Sequence, residues 1–421
     1  MRKIISFIIF FFFIGSLLMA EELPLSLEEA LIIALRGNRA ILLGQEEINK
    51  AKAKIAESHA DLFPSLSFLG TWTYTRGYYS KDMSQAGSQF NLTQLLYTGG
   101  KTFNTIKYNG YMFEVSQALL DKQIIETALS VKNGLYTLLL AQEYFKLNKI
   151  LLDNAKEHLD FMKSKYESGE ASKTDLLRVE ASLSNLIQVY ESSLNQVRLA
   201  QETLNNLLYL DKDVNVTALG EFTYEPRDVA FDEGLLKALE KRPEIKQYAA
   251  QLNADKSAIE IAKSASRPSI SAGWDYYSRS HVVTTTVNTR DWHDYNVLGV
   301  TFSWPIFDGW KTKAKVEQAV VDLKKTQLLR DKAIRDIALE LKDAYLSLKD
   351  ALYKINATES DLVMYKDNLR FVNDKYAKGQ ASLLDKGDAG VKYAVSRFNR
   401  DQAVYDYIVS KSAFDKATGG Y

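Results

Sequence analysis

The sequence predicts a mainly α-helical fold with a transmembrane β part, in which one unit of helix, strand, strand and helix is present twice. Three observations predict it. A short motif recurs with identical internal spacing, long proline-free stretches follow the helical period, and each half contains two segments in which apolar and polar residues alternate. Long helices joined by tight reversals, with one β-hairpin per half, account for all three.

The recurring motif is Lys-Tyr-x-x-Gly-x-Ala-Ser-x-x-Asp, which starts at Lys165 and again at Lys375, 210 positions later. A helical pattern precedes each copy, and another follows from its serine. The glycine can adopt the positive φ that ends a helix, and the serine can cap the next one. Each copy therefore predicts a reversal between two long helices, and segmental duplication is the simplest explanation of the pair.

Residues 1–20 have the organisation of a signal peptide, with Arg2 and Lys3, then an apolar run, then Ala20 before two glutamates. We expect export and cleavage after Ala20. An uncleaved N-terminal anchor is the alternative, because the apolar run is long for a signal peptide. The chain has no cysteine, which excludes disulfides and thiolate metal sites.

The composition limits the function classes further. The 53 basic residues balance the 53 acidic ones, so there is no electrostatic case for nucleic-acid binding. No second run of 18 apolar residues occurs, which excludes a helical membrane protein, and six prolines in 421 residues suit a few long helices. We predict repeat 1 over residues 21–210, a linker over 211–231, repeat 2 over 232–417 and a tail over 418–421.

Each repeat begins with two helices. Ser26 and Glu29 form a capping-box pattern that opens a short helix ending near Gly37, and a second helix ends before Pro64. The same punctuation recurs 204 positions later, where the corresponding helix ends before Pro268.

After each of these prolines the hydrophobic period changes from helical to two, which indicates β-strands with one apolar and one polar face. We predict one β-hairpin at about 65–97 and another at about 269–306, with polar, turn-like loops at about 77–88 and 278–293. Strands of roughly ten residues are long enough to cross a bilayer when tilted.

Alternation alone fits a soluble sheet as well as a transmembrane one. The export signal, the absence of an amphipathic helix pattern placed to cover the sheet, and aromatic residues near the strand ends favour the membrane. The residues expected at the membrane interface are Trp72, Tyr74, Trp274, Tyr276 and Trp304, to which Tyr97, Phe307 and Trp310 can be added.

Two proline-free helical stretches of about 65 residues end at the reversals, and each would be roughly 100 Å long at 1.5 Å per residue. We predict helical hairpins over about 101–209 and 311–417. Residues at spacings of four and three form a coiled-coil seam in the second. They are Ala333, Ile337, Leu341, Ala344, Leu348, Ala351 and Ile355.

Four strands per chain are too few to close a membrane β-barrel, and an open sheet edge in lipid leaves backbone groups without partners. The chain is therefore expected to oligomerise. Two copies would form a barrel of eight strands without a lumen, whereas three would form one of twelve with room for a lumen. With the helical hairpins extending on one side, the product is a conduit.

The duplicated reversals, the strand exit Phe307-Asp308-Gly309 and the order of the elements resemble the TolC-type outer membrane efflux proteins over residues 23–418. The resemblance implies a homotrimer with a 12-stranded β-barrel in outer membrane lipid and an α-helical barrel in the periplasm. It also implies docking to a periplasmic membrane-fusion adaptor and an inner-membrane pump of the RND or ABC type. The chain would then be a passive export duct for small molecules or polypeptides.

The resemblance also implies a periplasmic gate. In that family a ring of aspartates on the last helix narrows the entrance, and the matching positions here are Asp385 and Asp388. Asp385 is equally well explained as the acidic residue of a capping box with Ser382. We therefore expect Asp388, whose counterpart in the first repeat is Arg178, to contribute more to a ring.

A latch and a docking surface are implied at the same reversals. The latch positions are Thr174, Asp175 and Tyr376, and because its basic member falls on Ala381, Lys386 or Arg178 would have to replace it. Plain turn chemistry explains the glycines of the docking tips equally well. The tips implied for adaptor docking are Gly169, Glu170, Ala171, Ser172, Gly379, Gln380, Ala381 and Ser382.

The sequence indicates neither an enzyme nor a cofactor, because it has no phosphate-binding loop, nucleophile elbow or paired catalytic carboxylates. His281 and His293 share a predicted loop, but a metal site needs three or four converging ligands, so we expect no metal. Two alternatives stay open at this point. One is a trimeric structural or adhesive outer membrane coiled-coil protein without transport, and the other is a duct specialised for type I protein secretion.

Overall fold

The computed structural model describes residues 22–78, 81–211, 214–226, 229–282 and 292–420. The predicted signal peptide, its cleavage site and most of the predicted loop 278–293 lie outside the described residues. The chain forms two compact units, each assembled from segments of both halves of the sequence. Unit 1 contains the segments up to Asn38, Thr127–Arg227 and Ser347–Ser412, and unit 2 contains Arg39–Glu126, Asp228–Leu346 and Ala413–Tyr421.

The mainly helical fold with one β-hairpin per half is confirmed. The elements of the first half are β1 (Glu22–Leu25), α1 (Leu27–Gly37), α2 (Arg39–Ala60), β2 (Ser65–Tyr78), β3 (Lys81–Tyr97), α3 (Lys101–Glu167) and α4 (Lys173–Leu208). Those of the second half are β4 (Asn215–Ala218), α5 (Phe231–Lys241), α6 (Pro243–Ser264), β5 (Ser269–Val282), β6 (Trp292–Ser303), α7 (Lys311–Ala377) and α8 (Leu383–Ala417).

Local side chains define where several helices begin. Ser26 and Glu29 form the reciprocal capping box at the start of α1. The hydroxyl of Thr98 accepts from the Thr102 N–H at 3.2 Å before α3, and the Asp308 carboxylate accepts from the Thr312 N–H at 2.9 Å before α7. These oxygens satisfy backbone donors that a helix start would otherwise leave without partners.

In unit 1, α3 packs against both α4 and α8. Gly134 on α3 lies so close to α4 that an added Cβ would be 3.1 Å from the Leu207 side chain. On the other side, the rings of Tyr144 and Phe398 have centroids 5.2 Å apart. Aromatic pairs at this separation add to the burial of apolar surface, so α3 is held from two sides within this unit.

The segment predicted as a linker, 211–231, contains a strand that the sequence did not indicate. β4 pairs in parallel with β1, and Val216 at its centre is fully buried. The following residues are bound to α8, because Arg400 donates to the Phe222 carbonyl at 2.6 Å and Tyr407 donates to the Glu225 carbonyl at 2.7 Å. This part of the connection is therefore packed structure within unit 1.

In unit 2, four antiparallel strands form one sheet in the order β2-β3-β5-β6. The two hairpins are thus joined side by side through β3 and β5. Strands β2 and β6 are the edges, and among the described residues neither has a second neighbouring strand.

The predicted loop at 77–88 was wrong in its extent. β2 continues to Tyr78 and β3 begins at Lys81, so most of the polar segment is strand. The cause is that a strand with one polar face contains the same residue types as a loop, and Ser84, Gln85 and Gly87 carry no apolar signal.

The coiled-coil seam predicted on α7 is buried at six of its seven positions, and Ala333 is half-buried. The buried side chains repeat at spacings of four and three, which is the period expected for packing against neighbouring helices. No helix in the described part of the chain combines the length and the apolar composition needed to cross a membrane.

Candidate functional sites at the helix reversals and the sheet

The two helix reversals have the same backbone hydrogen bonds. Gly169 and Gly379 adopt φ angles of 78° and 71°, in the left-handed region that glycine tolerates. The N–H of the next residue donates back to the lysine carbonyl that starts the motif, at 2.8 Å in the first copy and 2.9 Å in the second. Each glycine N–H also donates to the tyrosine carbonyl three residues earlier. The two bonds together form the arrangement that commonly ends a helix at glycine.

The helix after each reversal begins with a serine cap. Ser172 accepts from the Asp175 N–H at 3.1 Å, and Ser382 accepts from the Asp385 N–H at 3.1 Å. In the second copy the Ser382 N–H also donates to the Asp385 carboxylate at 2.9 Å, which completes a reciprocal box. The motif is thus accounted for by turn and cap geometry in both copies.

Asp385 is therefore engaged in capping, and its carboxylate stays exposed to solvent. Hydrogen bonds from the Ser382 hydroxyl, at 2.7 Å, and then from the Ser382 backbone lower the pKa of Asp385 below its ordinary value. The acceptor is also near the start of α8, where the helix dipole favours a negative charge. Asp385 is thus a fixed, ionised group at the second reversal.

Asp388 lies three residues beyond Asp385 on α8, just under one helical turn, and is exposed. Its neighbour Gly387 is close to α3, since an added Cβ would clash with the Asn154 side chain. Within the described residues no side chain forms an ion pair with Asp388. Its charge is therefore available to solutes or to other chains.

Two of the three implied latch residues, Tyr376 and Asp175, have partners inside their own hairpins. Tyr376 is 39% exposed, and the Lys386 ammonium lies 4.9 Å from the centre of its ring. Asp175 pairs with Arg178 at 3.4 Å, and Thr174 is exposed. Lys386 and Arg178, the two candidates for the missing basic member, thus lie beside latch positions, each within its own copy.

The two tips differ in charge, which the motif comparison did not reveal. In the first, Lys165 pairs with Glu170 at 2.8 Å, and a hydrogen bond from this lysine lowers the pKa of Glu170 below its ordinary value. Gln380 takes the place of Glu170 in the second tip and cannot form that pair. Lys375 lies instead 4.6 Å from the centre of the Phe371 ring.

The strand register gives the sheet one mainly apolar face, which also includes Asn296 and Asp294 of β6. Direct partners across strands share a face, so the row of Leu66, Leu92, Trp274 and Leu298 lies near the helix ends of the strands. Six residues further along β2, Trp72 heads a second row that ends at Trp292. The two rows are roughly 20 Å apart at about 3.4 Å per residue.

The other predicted interface aromatics fall in or near these rows. Tyr74 lies beyond Trp72 toward the loops, and Trp304 follows the end of β6 on the helix side. Tyr276 lies one same-face position inward from Trp274, beside Phe90. Most of these rings are exposed on the isolated chain, and Trp72 is 67% exposed. An exposed apolar face bounded by aromatic rings suits contact with lipid.

The opposite face is polar and contains a hydrogen-bonded cluster that sequence reasoning missed. Asp275 accepts from Gln89 at 2.8 Å and from Asn91 at 2.7 Å, which joins β5 to β3. Next to it, the rings of Tyr277 and Tyr295 stack with centroids 4.8 Å apart. Alternation predicted this face, but only the register places these particular side chains together.

Comparison with known proteins gives a consistent result for the whole chain. The family model described as outer membrane efflux protein matches residues 31–208 and 235–420. The outer membrane protein TolC of Salmonella enteritidis is 21% identical over 401 residues, covering 90% of this chain and 80% of that protein.

Solved structures share the fold at low sequence identity. The CmeC outer membrane channel of Campylobacter jejuni superposes with a TM-score of 0.80 at 18% identity, over 94% of this chain and 85% of that chain. The MtrE outer membrane channel of Neisseria gonorrhoeae superposes with a TM-score of 0.77 at 17% identity, over 94% and 89%. Because one family model matches both halves and covers most of its length, the chain belongs to the outer membrane efflux protein family and is a protein of the outer membrane.

Proposed function

We propose that the chain is the outer membrane conduit of an export system, through which solutes pass without chemical change. The observation that carries the proposal is the sheet of unit 2, with a mainly apolar face that has tryptophans in the rows at both of its ends, and a polar face opposite. Such a sheet separates lipid on one side from an aqueous lumen on the other. The known channels with this fold support the same interpretation.

The conduit requires more than one copy of the chain. Strands β2 and β6 would leave unpaired backbone groups facing lipid, where each such group costs several kcal/mol. We infer a homotrimer, because three copies supply twelve strands and a lumen, whereas two supply eight.

Energy for export has to come from other proteins, since we assign this chain no catalytic activity. We propose that a periplasmic membrane-fusion adaptor contacts the two helix reversals and links them to an inner-membrane pump of the RND or ABC type. The tips at Gly169 and Gly379 are exposed and have different charges, so they offer two distinct docking surfaces per chain. Substrate choice would belong largely to the pump.

We propose that the second reversal also contains the gate. Asp388 has a solvent-exposed carboxylate without an ion-pair partner among the described residues, and Asp385 adds a second one, fixed by its cap. Three copies of such a pair around a symmetry axis would attract cations and repel one another. Tyr376, with Lys386 above its ring, would help to hold the closed state.

The test is conductance of the purified, detergent-extracted oligomer in a planar bilayer. We expect wild type to form cation-selective pores, and Asp388→Asn to lower the cation-to-anion permeability ratio by about twofold or more, because the ring loses charge. Tyr376→Ala removes the ring under Lys386 and should raise the open fraction while leaving selectivity unchanged.

Asp367→Asn is the matched control, since it removes one exposed carboxylate per chain from α7, away from the reversal. Pores that respond equally to both aspartate changes would refute the ring and leave the conduit intact. A stable oligomer that never conducts would refute the conduit itself.

A further inference from the structure

Arg279 is held over two tyrosine rings on the polar face of the sheet. Its guanidinium carbon is 4.8 Å from the centre of the Tyr277 ring and 5.9 Å from that of Tyr295. The two rings stack on each other with an angle of 18° between their planes. Stacking on an aromatic face orients a guanidinium without using its N–H donors.

The tyrosines are themselves held in place. Tyr277 lies on β5 and Tyr295 directly opposite on β6, so their stacking connects the two strands. The Tyr277 hydroxyl accepts a hydrogen bond from Gln89 at 3.1 Å, and Gln89 also donates to Asp275. The surface under Arg279 is thus fixed from three strands.

The charge of Arg279 is not neutralised within the described part of the chain. No described carboxylate lies within ion-pairing distance of it, and the side chain is exposed. Asp275, on the same face, is four residues away along β5, which is about 13 Å at 3.3 Å per residue. His293, the direct partner of Arg279 on β6, adds a second basic side chain.

This position is near the loop end of the strands, away from the end at which α3 and α7 begin. Arg279 lies one residue before Ser280, which shares the row of Trp72 and Trp292. The aspartates proposed for the gate belong to the helices, whereas this cation belongs to the sheet.

We propose that Arg279, supported by Tyr277 and Tyr295, is a binding site for anionic groups with an aromatic ring near the outer end of the lumen. The proposal rests on the conduit proposed above, in which the polar face lines the lumen. Free N–H donors would bind a carboxylate, sulfonate or phosphate, while the exposed part of Tyr295 offers a surface for the ring. Three such sites in a trimer would form a basic ring that concentrates anions at this position, while the aspartates at the second reversal set the cation selectivity of the pore.

The probe is naphthalene-1,3,6-trisulfonate, added to the loop side of single channels in a planar bilayer, with citrate as an anion that has no aromatic ring. We expect the trisulfonate to block wild type more strongly than citrate. Arg279→Gln should weaken trisulfonate block roughly tenfold, because each site loses a charge-assisted contact. Tyr295→Ala should reduce the preference for trisulfonate over citrate and leave citrate block nearly unchanged.

Arg76→Gln is the matched control. Arg76 lies on β2, which is separated from β5 by β3 within the sheet, at the point where the pairing of β2 with β3 becomes irregular. The substitution removes the same charge from the same sheet, and we expect the trisulfonate to block this variant as strongly as wild type. Equal block of wild type, Arg279→Gln and Arg76→Gln would overturn the site while leaving the conduit in place.

A second readout does not depend on conduction. Equilibrium dialysis of the detergent-solubilised protein against the trisulfonate should show binding that is lost in Arg279→Gln and kept in Arg76→Gln. Size-exclusion chromatography of each variant establishes that it assembles like wild type. Binding that survives Arg279→Gln would reject the site even if no channel ever conducts, whereas loss of conduction with intact Arg279-dependent binding would count only against the conduit.

Discussion

Arg242 is the most enclosed charged side chain among the described residues of unit 2, at 4% exposure. It donates to Glu244 at 3.0 Å and to Glu340, and Glu340 also pairs with Lys416 at 3.0 Å. The network joins the start of α6 to α7 and the end of α8. Removing one member of a buried ion pair is strongly destabilising, because the remaining charge is left buried without a partner, even where the intact pair adds little net stability.

The pKa values of the two glutamates give this network a pH dependence. For both Glu244 and Glu340 burial is the largest single effect and would raise the pKa, but hydrogen bonds and charge attraction from Arg242 and a nearby lysine together outweigh it, and the pKa lies below the ordinary 4.5. A lowered folded-state pKa stabilises the folded protein above the ordinary value, and this contribution is lost as the pH falls through the folded-state pKa. We therefore expect unit 2 to lose stability below about pH 4.5.

Arg242→Met tests this network. At pH 7 we expect a loss of about 3 kcal/mol of unfolding free energy, because two partly buried carboxylates lose their main partner. The deficit should narrow below the ordinary glutamate pKa, where wild type loses the same interaction. Thermal unfolding followed by circular dichroism in detergent at pH 7 and pH 4 measures both effects. A deficit that does not change with pH would mean that packing, and not charge, accounts for the loss.

At the residue scale, the sequence was sufficient to predict contacts between residues close together in the chain, but not contacts that depend on how two strands pair. Ser382 and Asp385 form their cap within three residues, so their spacing was sufficient to predict it. Arg279 meets Tyr295 only because β5 and β6 pair in one register. No local pattern encodes that register, since the segment between the two strands is polar and of no regular period.

The turns of the chain depend on glycines for two different reasons. Gly379 has positive φ and open space around its Cα, so a methyl group there meets only backbone strain. Gly99 also has positive φ, and an added Cβ would be 2.8 Å from both the Ser264 carbonyl oxygen and the Arg267 side chain. The first site requires a conformation, whereas the second also requires the absence of a side chain.

Alanine substitution at the two glycines should separate these effects. We expect Gly379→Ala to cost about 1 kcal/mol, the usual penalty for a left-handed residue with a Cβ. Gly99→Ala should cost clearly more, because a backbone oxygen cannot move aside as a flexible side chain can. Thermal unfolding of the two variants under identical conditions makes the comparison. Equal losses would mean that the contact near Ser264 relaxes without cost.

At the scale of elements, the long helices were predictable and two strand features were not. α3 and α7 run between a capped strand exit and a glycine reversal, and both signals are local. β4 was missed because four residues pair with β1 almost 200 positions earlier in the chain. The polar half of β3 was taken for a loop because its side chains suit water as well as a lumen.

At the scale of the whole molecule, a single chain leaves the sheet with two unpaired edges among the described residues and with an uncovered apolar face. Its apolar face exposes Leu66, Phe68 and Leu298, the last at 83%. Contiguous apolar exposure of this kind marks a surface that lipid or protein covers. The sequence predicted the strand number and hence the need for partners, but the number of copies depends on contacts between chains, which no intrachain pattern specifies.

The proposed trimer requires β2 of one copy to lie beside β6 of the next. Because the chain has no cysteine, new ones can be placed without a background reaction. Ser67 on β2 and Thr301 on β6 are exposed residues of the polar face at the two edges. In the double variant Ser67→Cys/Thr301→Cys, a short bis-maleimide should link neighbouring copies in membranes, and denaturing gels should show bands of one, two and three chains.

Each single variant is the control. Its one cysteine lies beside an edge strand of the neighbouring copy that carries no cysteine, so the gel should show only monomer. The ladder must stop at three, because a closed ring of three copies has no free edge from which a fourth could be linked. A ladder that stops at two would indicate eight strands and no lumen, and would remove the physical basis of the conduit. Bands above three would indicate a larger ring or an open array. Only the three-chain limit agrees with a twelve-stranded sheet in which every edge of β2 and β6 is paired.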